Sequence, residues 1–228
     1  MGSFSFEAFL GAFRAIGKGL PVTVFVALLS MTAGVILGTG ITFLRRASIP
    51  VLSKFLGLYV SFFRGTPLMV QLFIFYFGLP QIFPVLSGVG AFQATIVVMS
   101  LNGSAYVSEV VRSSLASVDP GQMEAALSVG MSRFKAMERI ILPQAFRIAV
   151  PPLGNTFIGL IQGTALSFML GLRDVMGIAK MGAAASYRFF EFYLAVGLVY
   201  WALAYGAAQL NKYLEKELSR GFGGSDGT

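Results

Sequence analysis

The chain has 228 residues, 56% of them hydrophobic and only 12% charged, with a net charge of +7. A soluble domain is about 25% charged, so these few charges cannot cover a water-exposed surface. Cysteine and histidine are both absent, which removes disulfides, thiol nucleophiles, imidazole bases and the usual zinc and haem ligands.

The charges are segregated. Residues 20–44, 65–108, 148–172 and 192–211 carry none. Apolar runs of about 20 residues can cross the roughly 30 Å hydrocarbon core as helices. The pattern predicts an all-α, multi-pass membrane protein, and the basic excess reads as membrane topology rather than nucleic-acid binding. The first residues contain Glu7 and lack a basic stretch before an apolar run, so no cleavable signal peptide is expected.

In chain order, residues 4–18 place Phe6, Phe9, Leu10, Phe13 and Ile16 at helical spacing. This predicts an amphipathic helix within 1–19, either lying in the membrane interface or packed on the first span. Span 1 is expected at 20–44, where Gly34 and Gly38 form a GxxxG pair suited to close helix contact. The run 65–108 is too long for one helix, and Pro80, Pro84, Gly88 and Gly90 mark a turn within it. Span 2 is therefore placed at 57–79 and span 3 at 89–111. Spans 4 and 5 follow at 150–172 and 191–211. The membrane domain closes near 218, and the Gly-rich segment 219–228 is expected to be disordered.

Five spans put the termini on opposite sides. The faces next to loop 1–2, segment 112–147 and the C-terminus carry 12 Lys and Arg, against 5 on the other side. Positive-inside reasoning places the N-terminus outside and the C-terminus in the cytoplasm.

The cytoplasmic segment 113–147 encodes two short helices outside the membrane. Asp119 suits an N-cap, Pro120 the first helical position, and Gln122 stands where a capping-box partner would. Gly130 can supply the left-handed conformation that ends the helix. Glu124, Ala125 and Ala126 give it a slim surface. Ser132 can cap a second helix, which Pro143 ends or bends. A segment this long needs a reason. It is either a rigid knob that docks in a groove on a partner or a hairpin that only links two spans.

Glu124-Ala125-Ala126, three residues, Gly130, nine residues and Ile140-x-Leu142-Pro143 resemble the EAA loop of ABC importer permeases. Arg64-Gly65-Thr66-Pro67-Leu68, the stretch from Asn102 to Glu109, Ile141 to Ala145, and Pro151 to Asn155 resemble the polar amino acid branch of that family, the His/Gln/Arg/cystine type. The similarity runs from about residue 18 to 218. It implies a type I importer permease of five core spans in the bacterial cytoplasmic (inner) membrane, multi-pass and paired with a second permease. Its expected partners are an ATP-binding cassette ATPase and an extracytoplasmic solute-binding protein. Glu124, Ala125, Ala126, Gly130 and Pro143 would then couple to the ATPase. The implied function is import of polar amino acids, cystine being a candidate, by alternating access.

The phosphate-cradling pattern GxxxxGK[ST] is absent; Gly17-Lys18-Gly19 lacks both its first Gly and its Ser/Thr. The chain is therefore expected not to be an enzyme and to hold no cofactor, with ATP and Mg belonging to the partner. Polar side chains within spans mark either substrate contacts or helix–helix hydrogen bonds. Those singled out for substrate are Gln71, Asn102 and Tyr106, together with Gln162, Thr164 and Ser167, where the resemblance also places a pocket. Relatives of that family often carry a Lys and an acidic residue where this chain has Gln162-Gly163, so an ionic contact there is in question. Glu109 and Arg112 are expected to pair locally, and Arg64 to snorkel. The alternative class is a secondary transporter driven by an ion gradient, which would need an intramembrane carboxylate; only Glu109 comes close.

Overall fold

The computed structural model of the chain describes residues 4–47 and 49–220. All regular structure among them is helical. Helix α1 (Phe6–Ile16) continues through one tight turn into α2 (Leu20–Arg46). Helix α3 (Pro50–Gly65) is followed by α4 (Leu68–Phe73), a widened π turn at Ile74–Gly78, and α5 (Leu79–Ile82). Helix α6 (Ala91–Ala116) leads to α7 (Pro120–Ser128). Then come α8 (Arg133–Ala136), α9 (Leu142–Gly163) and a tight 3₁₀ segment at Thr164–Leu170. Helices α10 (Val175–Ser186) and α11 (Phe189–Arg220) complete the chain.

Four of these helical stretches are long and apolar enough to span a membrane: Phe6–Arg46, Ala91–Ala116, Arg133–Leu170 and Phe189–Leu218. A fifth crossing requires α3 and the α4–α5 stretch together, and these bend by 111° between Gly65 and Leu68. The expected straight span over 57–79 is therefore corrected. Pro67 disfavours helical geometry at Thr66, and Thr66 adopts extended backbone with φ −115° and ψ 148°.

Span 4 begins earlier than 150, because Pro143 does not end the preceding helix. A proline ring collides with the carbonyl four residues back. Here the turn at Met137–Ile141 is widened, and the Leu142 N–H donates to Met137 O, five residues back. The same solution precedes Pro80, where the Leu79 N–H donates to Ile74 O. Helix α10 had no counterpart among the expected spans. The predicted tail begins too early as well, since α11 runs to Arg220; residues 221–228 lie outside the described residues.

Helices α2 and α6 make the most extensive contact in the chain and run parallel. Gly34 lies against Gly103, Gly38 against Ser104 and Ser108, and Thr42 Oγ1 donates to Ser108 O at 2.9 Å. Helices α9 and α11 run antiparallel. Gly154 leaves room for Asn211, whose Nδ2 donates to Pro151 O at 3.0 Å. Helix α1 buries Ala12 and Ile16 against Val175, Ala179, Ala195 and Val196, so it packs on α10 and α11. Its start is tied by Ser5 N–H to Glu191 Oε1 at 3.1 Å.

A side chain at Gly38 would meet Ser104 O at 2.6 Å and Val107 Cβ at 2.8 Å, whereas nothing lies within 4 Å of one at Gly40. Gly38→Val should destabilise the purified protein by about 1–3 kcal/mol through overpacking, and Gly40→Ala should not. Thermal melting in detergent reads the difference.

Candidate functional site

The break after α3 leaves carbonyls at its C-terminal end without helical partners. Water cannot satisfy them inside a bilayer. Gln71, buried at the start of α4, does so: its Nε2 donates to Phe63 O at 3.0 Å, Thr66 O at 3.1 Å and Thr66 Oγ1 at 2.8 Å. Asn102, midway along α6, closes the bracket. Its Nδ2 donates to Phe63 O and to Gln71 Oε1, each at 3.0 Å. The Tyr59 hydroxyl, in van der Waals reach of α6, donates to Leu101 O at 2.9 Å and lies 2.7 Å from Ser104 Oγ. Gln71 is thus occupied with backbone, and Asn102 partly so.

Beside this bracket opens a cavity of about 420 Å³, within the size range of small-molecule sites. Its walls are Leu68 of α4, Asn102, Gly103 and Tyr106 of α6, and Asn155, Thr156, Gly159 and Leu160 of α9. Asn155, Gly159 and Gln162 share one exposed face of α9. An exposed polar stripe in a span belongs against protein or water rather than lipid.

Of the six residues singled out for substrate, the structure brings Asn102 and Tyr106 to this cavity. Gln162 lies one turn beyond the lining on the same face. Thr164 and Ser167 are buried elsewhere. Thr164 Oγ1 donates to Ile161 O at 2.8 Å and sits 3.2 Å from the Tyr200 hydroxyl. Ser167 Oγ has no hydrogen-bond partner among the described residues. Asn155 and Thr156 are polar lining residues that were not singled out for substrate from the sequence. The signal for Asn155 was the spacing 155, 159, 162, which places small and polar residues on one helical face.

Two further carboxylates are buried among the described residues and were not anticipated. Asp174 caps α10 through Gly177 N–H at 2.8 Å and accepts from the Tyr200 hydroxyl at 3.2 Å. Glu191 accepts from Ser5 N–H and pairs with Arg188 at 3.3 Å. Both fasten helix ends. Glu109 meets more than its neighbour Arg112: Arg112 lies 2.8 Å away, Arg45 2.9 Å and Arg64 3.8 Å. Arg64 also stands over the Tyr106 ring, 5.6 Å from its centre.

At the end of the bundle where α2 and α6 finish, α7 forms a knob. Asp119 caps it by accepting Gly121 N–H at 2.8 Å, and Gly130 ends it with φ +84°. The Gln122 side chain engages Gln144 at 3.4 Å instead of closing a capping box. Ser132 caps α8 by accepting Lys135 N–H. Met123 packs with Leu115 and Val118 at the base of α6 and with Ile141 and Ala145 at the base of α9. Ala126 is 3% exposed and belongs to the anchored face, not to the slim outer surface. Glu124 and Ala125 are exposed, as are Val129 (77%) and Phe134 (76%), two apolar side chains at the tip that sequence reading had not picked out.

Apolar spans around a groove that carries amide, phenol and hydroxyl groups, with a capped knob beneath, define the class of an integral-membrane transport subunit. The chain belongs to the family of binding-protein-dependent transport system inner membrane components, which it matches over residues 30–220. It is 44% identical over 220 residues to the probable amino-acid permease protein YxeN of Bacillus subtilis (strain 168), covering 96% of this chain and 98% of that protein. It is 42% identical over 219 residues to the probable amino-acid ABC transporter permease protein PatM of Vibrio harveyi, covering 96% and 98%. Among solved structures, the crystal structure of an amino acid ABC transporter with histidines superposes with a TM-score of 0.89 at 32% identity, covering 95% of this chain and 100% of that one.

Gln71 and Asn155 should fail differently. Gln71→Leu strands buried carbonyls, at about 1–3 kcal/mol each, and should lower the melting temperature. Asn155→Leu should leave melting unchanged and cut uptake of the transported solute by about tenfold, the loss of one hydrogen bond to a charged group. Melting and uptake measured on both variants separate bracket from groove.

Proposed function

We propose that this chain is the permease subunit of an ATP-driven importer of polar amino acids and works beside a second permease, identical or homologous. A separate ATPase seats against Glu124, Ala125, Val129 and Phe134, and holds the ATP and Mg. A solute-binding protein delivers the amino acid at the opposite end, which the charge distribution assigns to the outside. The amide, phenol and hydroxyl groups of Asn102, Tyr106, Asn155 and Thr156 suit a zwitterionic solute with its own donors and acceptors. The similarity to amino-acid permeases of Bacillus subtilis and Vibrio harveyi supports that class.

One observation carries the reading. The two helices that anchor the knob, α6 and α9, are also two walls of the groove. A displacement of α7 by nucleotide-driven closure of the ATPases is passed directly to Asn102 and Tyr106 on one side and to Asn155 and Thr156 on the other. Such motion drives transport when the assembly has two states with different affinity for solute and for ATP. A proton- or sodium-driven route finds less support, because Glu109 is held by three arginines and Asp174 and Glu191 fasten helix ends.

The test is uptake and ATP hydrolysis by the assembled complex in proteoliposomes, screened over amino acids including cystine. Gly130→Pro cannot adopt a φ of +84°, and Glu124→Arg reverses the charge on the outer face of α7. Each should leave insertion intact and reduce uptake by at least about tenfold, equivalent to about 1.4 kcal/mol of docking energy. Normal coupled uptake in both variants would contradict a coupling role for α7. Gradient-driven uptake by the chain alone would contradict the dependence on ATP.

A further inference from the structure

A second polar cavity, of about 160 Å³, lies apart from the groove between the end of α2, the start of α3 and the end of α6. It is lined by Arg45, Arg46 and Arg112 and by Thr42, Ser53 and Ser108, with no carboxylate in the lining. Glu109 lies behind it and is already shared by Arg45, Arg64 and Arg112. Three guanidinium groups thus converge on one carboxylate, leaving two positive charges in excess, and Arg46 in the cavity lining adds a third. Among the described residues, Arg46 makes no hydrogen bond or ion pair, and the Ser53 hydroxyl is likewise unengaged. The cavity also faces the first turn of α3, whose dipole adds positive potential. Arg45 is half-buried and Arg46 and Arg112 are exposed; cations gathered at one pocket repel one another less when an anion joins them, and their planar forks match phosphate oxygens.

The rim decides where such a phosphate comes from. Phe43, Leu44, Val51 and Phe55, on the same ends of α2 and α3, are exposed apolar side chains. They border a polar pocket at the end of the spans, on the side where α7 lies. The Lys/Arg distribution assigns that side to the cytoplasm. Basic pockets between helices at that level suit the headgroups of anionic lipids, with the acyl chains along the apolar rim.

We propose that the Arg45–Arg46–Arg112 cavity binds a phosphate group, supplied by the headgroup of an anionic phospholipid of the inner leaflet. The bound phosphodiester bridges α2, α3 and α6. These are the helices on which the broken span and one wall of the groove are built.

The experiment is native mass spectrometry of the full-length protein in detergent. It is titrated with phosphatidylglycerol or with phosphatidylcholine of the same acyl chains, each with and without millimolar inorganic phosphate. The expected result is a clear preference for phosphatidylglycerol. Arg46→Ala should reduce it roughly five-fold, the effect of about one interfacial cation, and Arg46→Lys should retain most of it. Lys18→Ala, exposed at the opposite end, should leave it unchanged and so excludes diffuse surface charge. Arg46 is exposed, and a surface substitution of this kind changes stability little, so melting near the wild-type temperature should accompany the expected loss. Phosphate that binds alone, is lost in Arg46→Ala and acts without lipid preference would support the site and assign its source to solution. Equal retention of both lipids with no phosphate binding, or a preference for phosphatidylglycerol that Arg46→Ala leaves intact, would overturn the proposal.

Discussion

A polypeptide in lipid must satisfy every backbone donor and acceptor from within, and this chain breaks a helix inside a stretch that can cross only as a bent pair. The 111° bend after α3 exposes Phe63 O and Thr66 O to the interior of the bundle. Gln71 and Asn102 supply the missing donors and bond to each other. Because Asn102 stands on α6, the bracket also fixes where α4 meets α6, and the groove opens beside that junction. The break, the bracket and the groove form one arrangement.

The same economy runs through the rest of the bundle. Prolines that would interrupt helices are accommodated by widened turns at Ile74–Gly78 and Met137–Ile141. The stretch from Arg133 to Leu170 therefore remains one helical rod that starts beside the knob and ends past the groove. The close fit of Gly34 and Gly38 against α6 welds α2 to one wall of the groove. At the far end, Asp174 and Glu191 cap or tie helices α1, α10 and α11. The rods on which α7 sits are thus braced at both ends.

Much of this was legible in the residues. The spans are visible because lipid excludes charge, and the knob because Asp119-Pro120 and Gly130 have local reasons to start and stop a helix. The break at Thr66-Pro67 was missed although its cause is local, since uncharged composition looks the same on either side of a bend. Gln71 was assigned to substrate for a related reason. An amide in an apolar run can serve a ligand or a stranded carbonyl, and only the geometry of the bend distinguishes them. Thr164 and Ser167 lie in the right stretch of sequence, but the tight turn at Thr164–Leu170 points them away from the cavity lining. Asp174 and Glu191 lie outside the uncharged runs and gave no sign of being buried.

The central claim is that the cavity along Asn102, Tyr106, Asn155 and Thr156 is the aqueous path of the solute. The natural absence of cysteine makes accessibility labelling clean. Single cysteines at Asn155 and at Ile36, the latter an exposed apolar position on α2, would be treated with a membrane-impermeant thiol reagent in the assembled, reconstituted transporter. The account predicts that the Asn155→Cys protein reacts, loses uptake, and is protected by the transported amino acid, while the Ile36→Cys protein stays unlabelled. An unreactive Asn155→Cys protein, or labelling there that leaves uptake untouched, would contradict it.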